Sequence, residues 1–268
     1  FFSSCATTNY MLIDIMKPAT VSFPPNVVNL AFVDNSGMQP DTVNHITTTP
    51  NSLQHVALER PDSSKIVFKE AFVQFMNEEN YFNKVELYPH NIRTDDDYDR
   101  TNLLEGSEVK EICEQVDADA LVSLDMYIVS TDLRAELYDI QFFNKMIELK
   151  AVIGISARIY DKNGKLVIQR PVIQIDSTFW NNMYVKIPER EDALKELALI
   201  SAEKFTKQFI PYWEKQERWY FSDGTSLMKE AAKKVKEGQW REAAVIWGAK
   251  FEEEKKAVNK AKIASNIA

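Results

Sequence analysis

The stretch ADALVSLDMYIV (118–129) alternates apolar and polar residues, with Val122, Leu124, Met126 and Ile128 on one face, the period of a half-buried strand. Downstream, residues 150–160 and 165–180 read as the arms of a hairpin across Asp161-Lys162-Asn163-Gly164, a turn whose glycine tolerates positive φ. Three strands in succession commit the middle of the chain to a sheet. Pro171 in the last arm assigns it to an edge or a bulge, because proline cannot donate to a ladder.

Helical and strand periods surround this centre. VVNLAFV (27–33) is a short, β-branched buried strand closed by Asp34-Asn35-Ser36-Gly37, and KVELY (84–88) is a second strand. KIVFKEAFVQFMNE (65–78) sets Val67, Ala71 and Phe75 one turn apart, flanked by Phe68, Phe72 and Met76, and reads as an amphipathic helix. A helix over 108–116 is expected with Ser107 as its cap. From Pro188 the pattern turns helical until Pro211; YWEKQERWYF (212–221) forms an aromatic junction, and the remainder is helical. Residues 38–62, with three prolines and a threonine cluster, read as a long surface loop. The expected fold class is therefore α/β, a mixed sheet with flanking helices, followed by a smaller all-α segment. Its divisions are 1–26 as a tether, 27–211 as the α/β domain and 212–268 as the junction and helices.

With 268 residues, 45% hydrophobic and 27% charged, the chain has ample material for a core, which excludes bulk disorder. A net charge of -8 excludes a nucleic-acid footprint, which needs a basic stripe. The apolar runs are strand-sized, too short for an internal membrane-spanning helix. Two cysteines, Cys5 and Cys113, exclude a disulfide framework. Cys113 shares a helical face with Val109, Ile112 and Val116 and reads as a buried, inert thiol.

Chemistry-bearing patterns are few. His45, His55 and His90 fall in loops without metal-site spacing. No nucleophile elbow, Walker loop or dinucleotide fingerprint occurs, and seven glycines leave little material for a phosphate cradle. Asp95-Asp96-Asp97-Tyr98-Asp99 reads as a solvated acidic loop; counted as a calcium loop from Asp97 it places Asn102 where glycine is expected. Asp125 within its strand reads as solvent-facing or paired. No cofactor, metal or catalytic residue is expected.

Two patterns carry resemblances. Phe1-Phe2-Ser3-Ser4-Cys5 resembles the end of a bacterial lipoprotein signal peptide, although Phe2 stands where leucine is usual. The resemblance implies lipidation at Cys5 and a membrane attachment, since several acyl chains anchor stably. Ala6-Thr7-Thr8, without aspartate after the cysteine, then implies the outer membrane, facing the periplasm. Gly238-x-Trp240-x-x-Ala243-x-x-x-Trp247 resembles a tetratricopeptide repeat over about 222–254: a turn glycine, an aromatic residue, then a small residue where helices approach. Glu252-Glu253-Glu254 departs from the repeat's usual close. Residues 256–268, with Ala261, Ala264 and Ala268 at small positions, would begin a second unit. Because about three repeats are needed to bury their faces, the resemblance implies more repeats beyond residue 268.

The order of VVNLAFVDNS, helix, strand, helix and Ala118-Asp119-Ala120 leading into a central strand resembles the TolB N-terminal domain and the CsgG-like lipoproteins. The whole plan is similar to that of uncharacterised Bacteroides-type envelope lipoproteins, which implies no activity. The resulting expectation is a non-enzymatic, lipid-anchored protein that docks an unidentified protein partner. Two other readings stand beside it: a ligand-binding, glycan-directed lipoprotein using the aromatics of 212–221, and a hydrolase built from scattered Asp and Glu.

Overall fold

The structure, a computed structural model, describes residues 8–93, 95–139, 144–223 and 225–267. In chain order the elements are β1 (Thr8–Lys17), β2 (Asn29–Asp34), β3 (His45–Thr49), β4 (Ser52–His55), α1 (Ser63–Glu78), β5 (Lys84–Leu87), α2 (Gly106–Val116), β6 (Ala120–Asp139), β7 (Asn144–Asp161) and β8 (Val172–Asn181). There follow α3 (Arg190–Thr206), β9 (Tyr212–Phe221), α4 (Ser226–Lys236), α5 (Trp240–Glu253) and α6 (Ala257–Ile267). The chain divides into two compact units. One is Pro18–Pro211, and the other joins residues up to Lys17 with those from Tyr212 onward.

The larger unit is built on a seven-stranded mixed sheet in which β6 is the organising strand. Its first half pairs in parallel with β2 and its second half in parallel with β3, while β7 runs antiparallel along its length. β5 flanks β2, β4 flanks β3, and β8 closes the far side against β7. β2 is buried on both faces. Leu30 and Phe32 join Phe68, Phe72, Leu197 and Phe205 of α1 and α3. Ala31 and Val33 join Val109, Ile112 and Cys113 of α2 on the opposite face. A doubly covered parallel strand needs apolar residues at successive positions, and VVNLAFV supplies them.

Three local expectations change. Residues 38–62 are not a loop throughout, because the β3–β4 hairpin lies within them; its β-branched threonines find an edge on the second half of β6. At the switch from β2 to β3, Gln39 replaces a backbone neighbour: Nε2 donates to the Val129 carbonyl at 2.8 Å, and the Val129 N–H donates to Oε1 at 2.9 Å. Second, α2 begins two residues earlier than Ser107 predicts. Its N-cap is Glu105, whose N–H donates to Glu108 Oε2 at 2.8 Å, a reciprocal cap of the kind glutamate at N3 favours. Third, a register shift at Asp125 divides β6. Val122 and Leu124 face the helical core, but after the extra residue Tyr127 and Val129 do so. Met126 and Ile128 therefore lie on the other face, since one inserted residue reverses the alternation.

The smaller unit begins with a ribbon. Residues 8–17, expected as part of the tether, and 212–221, expected as the junction, are β1 and β9, paired antiparallel from Thr8 opposite Phe221 to Lys17 opposite Tyr212. Tyr220, Met228, Ala231, Val235, Trp247 and Ile263 form the core beneath it. Asn266 on α6 serves the ribbon's end as a strand would, accepting from the Phe221 N–H at 2.7 Å and donating to its carbonyl at 2.8 Å. Among the described residues no helix is long and apolar enough to cross a membrane.

Candidate functional site

The carboxyl end of β2 carries a buried polar seam, the position at which open α/β sheets place functional groups. Asp34 ends the strand, and α1 brings Lys65 and Lys69, one turn apart, over it. Lys69 Nζ donates to Asp34 Oδ2 at 2.9 Å, Lys65 Nζ lies 3.6 Å from the same oxygen, and Ser36 Oγ donates to Oδ1 at 2.6 Å. Burial pushes the Asp34 carboxyl up, but the Lys65 charge and the Ser36 and Lys69 hydrogen bonds overcome it, holding it below the usual range. Gly37 lets the next loop close on this end: a Cβ there would stand 2.7 Å from the Asp97 carbonyl oxygen.

A second knot sits at the β6 bulge. Asp125 is fully buried, and it accepts from Ser123 Oγ at 2.6 Å, Arg158 Nη1 at 2.5 Å and Asn35 Nδ2 at 3.3 Å. Burial raises its pKa, and the Ser123 and Arg158 interactions offset this only in part. Both carboxylates are buried and engaged by several partners. Each is almost wholly shielded from solvent, whereas general acid–base work needs the group within reach of a substrate.

Beyond Arg158 the sheet presents an uncovered apolar face. Among the described residues, α1 and α3 pack on one side of β6, β7 and β8, and α2 covers the other side near β2, the start of β6 and Tyr160 at the end of β7. Ile173, Ile175 and Phe179 of β8 are 65%, 72% and 66% exposed. Ile173 and Ile175, with Met126, Ile128, Val152 and Gly154, border a groove of about 490 Å³ that has Arg158 in its wall. Contiguous exposed apolar surface of this kind marks association sites.

The residues expected from sequence are dispersed. Cys5 lies outside the described residues. Gly238 turns the chain between α4 and α5 with φ +74°, Trp240 starts α5 and is partly exposed, and Ala243 and Trp247 are buried in the smaller core. His45, His55 and His90 do not converge: His45 Nδ1 is 2.9 Å from Thr131 Oγ1, His55 lies on β4, and the His90 ring is 5.6 Å from Tyr88. Among the described residues no group of three or more His, Cys, Asp or Glu is arranged to hold a metal. In the acidic loop, Asp95 is engaged by Arg93 and Asp97 by Arg100. Cys113 is buried, and burial pushes its thiol up to about 11. Sequence reasoning missed the Asp34–Lys65–Lys69 knot. Its signal was present as Asp34 ending an apolar strand and two lysines four apart on the next helix. The bare face had no local signal, because it depends on which side of the sheet the helices cover and, for Met126 and Ile128, on the bulge.

Fold and site together define a mixed-sheet α/β domain with sealed ionic knots and one uncovered apolar sheet face. Residues 27–221 match the family model described as Domain of unknown function (DUF8603), and the chain belongs to that family. A search of curated proteins finds no match. Among solved structures, the chain aligns with a minor lipoprotein from Acinetobacter baumannii at 8% identity and TM-score 0.32, covering 69% of this chain and 92% of that one. Protein XCC0632 from Xanthomonas campestris, family-model DUF330, aligns at 10% identity and TM-score 0.35, covering 72% and 92%. Lipoprotein GNA1162 from Neisseria meningitidis aligns at 12% identity and TM-score 0.27, covering 66% and 97%. Superpositions this loose carry no argument about this chain.

Proposed function

We propose that the protein is a non-enzymatic, lipid-anchored envelope protein that works as a protein-docking module. The observation that carries the docking role is the uncovered face of β6, β7 and β8, with Ile173, Ile175 and Phe179 in solvent. The anchor rests on Ser3-Ser4-Cys5, and attachment to the outer membrane on its periplasmic side rests on the residues after it. Thr8 is three residue steps from Cys5, a reach of at most about 11 Å, so the lipid would hold the β1–β9 ribbon close to the bilayer. The helices after the ribbon are read as a tetratricopeptide-like arm, supported by the left-handed turn at Gly238 and the burial of Ala243 and Trp247.

Fractionation of cells expressing the wild type and Cys5→Ala tests the address. The wild type is expected in the membrane fraction and the variant in the soluble fraction; equal release of both sinks the lipid anchor. A glycan-binding role has its own support. Tyr10 and Trp219 are cross-strand neighbours with ring centroids 5.7 Å apart, and Trp213, opposite Met16, is also exposed. Sugar-induced quenching of tryptophan fluorescence that is lost in Trp219→Ala would favour that reading.

A further inference from the structure

We propose that strand β8 is the dimerisation edge of this protein, pairing antiparallel with β8 of a second copy about a two-fold axis at Ser177. The inference rests on the docking reading of this region and names the partner of the β8 edge that borders the bare face. Natural sheet edges are short, charged, interrupted by proline or covered, because free backbone donors and acceptors recruit further strands. The other two edges of this sheet obey that rule: β4 and β5 are four residues long, and β5 carries Lys84 and Glu86. β8 does not. It is ten residues long, has no proline or lysine, and pairs with β7 without a register shift. Among the described residues, the backbone of Val172–Trp180 bonds to no element except β7.

Its composition selects a second copy over a charged partner. The one ionisable residue, Asp176, turns toward α3 and is met by Lys204 Nζ at 2.9 Å. An antiparallel pairing keeps directly opposite residues on the same face, so a two-fold axis must pass through one residue. Placed at Asp176, it would set two carboxylates against each other. Placed at Ser177, it sets Asp176 opposite Thr178 and Ile175 opposite Phe179, twice by symmetry. Aromatic–β-branched cross-strand pairs are stabilising and like charges are not. The two apolar faces then become one, continued across the axis, and the contact is isologous, as closed dimers require.

Light scattering on the full chain over roughly 1 to 100 µM, the range in which an interface smaller than standard size dissociates, reads the equilibrium. The wild type is expected to approach twice the monomer mass, while Ile175→Lys, altered at an exposed position, keeps its melting temperature and stays monomeric. In a Cys5→Ala background, Ser177→Cys is expected to form a disulfide-linked dimer on mild oxidation, and Ile173→Cys, far from its own symmetry mate, is not. A wild type that is monomeric throughout, with Ser177→Cys crosslinking no faster than Ile173→Cys, overturns the proposal. A photocrosslinker at residue 175 in intact envelopes separates the two ideas. Capture of a different protein by a monomeric chain overturns self-pairing and leaves docking standing; capture of nothing by a monomeric chain overturns both.

Discussion

His45 is the residue whose surroundings make the clearest solution prediction. Its Nδ1 is 2.9 Å from Thr131 Oγ1, which already accepts from Arg190 Nη1 at 2.7 Å. The hydroxyl proton is then free for Nδ1, an arrangement that suits a neutral ring. Burial lowers the His45 pKa to about 4, the Arg190 charge adds to this, and Asp41 opposes it. Because the folded value lies below the unfolded one near 6.5, the unfolded chain binds the proton first as pH falls. Stability from this site is complete above pH 6.5 and is lost between there and about 4. The loss should be about 3 kcal/mol, by the worth of each pKa unit. Urea unfolding at pH 7 and pH 4 should show the gap between wild type and His45→Gln narrowing by that amount; a constant gap would refute the assignment. Asp34, held low by its lysines, also contributes stability that acid removes, whereas the raised Asp125 acts in the opposite sense. The comparison with His45→Gln isolates the histidine from both.

At the scale of elements, α1 is held to β2 and α3 by rings. Phe72 is fully buried, with centroids 4.7 Å from Phe32, 5.3 Å from Phe205 and 5.5 Å from Phe209. Phe72→Ala should cost about 3–5 kcal/mol, while Ile66→Ala on the half-exposed side of the same helix should change stability by no more than about 0.5 kcal/mol. Equal effects in denaturant unfolding would mean that α1 is not docked through this cluster. The spacing of Phe68, Phe72 and Met76 made this helix legible, because a period near 3.6 belongs to the segment alone. β6 was legible only up to Leu124. Its bulge is settled by Asp125 finding Ser123, Asn35 and Arg158, and Arg158 is a cross-strand partner that no local pattern reveals.

For the whole molecule, the telling feature is that the smaller unit is made from both ends of the chain. β9 has β1 as its ladder partner, and Met11 packs against the helical core. An isolated strand or two-stranded ribbon is marginal without further packing. Removing residues 1–17 should therefore expose 212–221 to protease and loosen α4–α6, while the Pro18–Pro211 unit keeps its own thermal transition. Continued protection of the C-terminal helices in hydrogen exchange would contradict this. By itself the sequence determined the α/β class, the burial of β2, the helices and the turn glycine Gly238, since each follows from spacing within a few residues. It also supplied the Cys5 pattern, which the described residues do not reach. The tertiary structure alone decided the β1–β9 ribbon, the β3–β4 hairpin on the second half of β6, the ionic knots and the bare face that the helices leave and the bulge extends. These depend on which distant segment arrives beside which, and a hydrogen-bonding edge or a buried charge does not record its partner in its own neighbourhood of the chain.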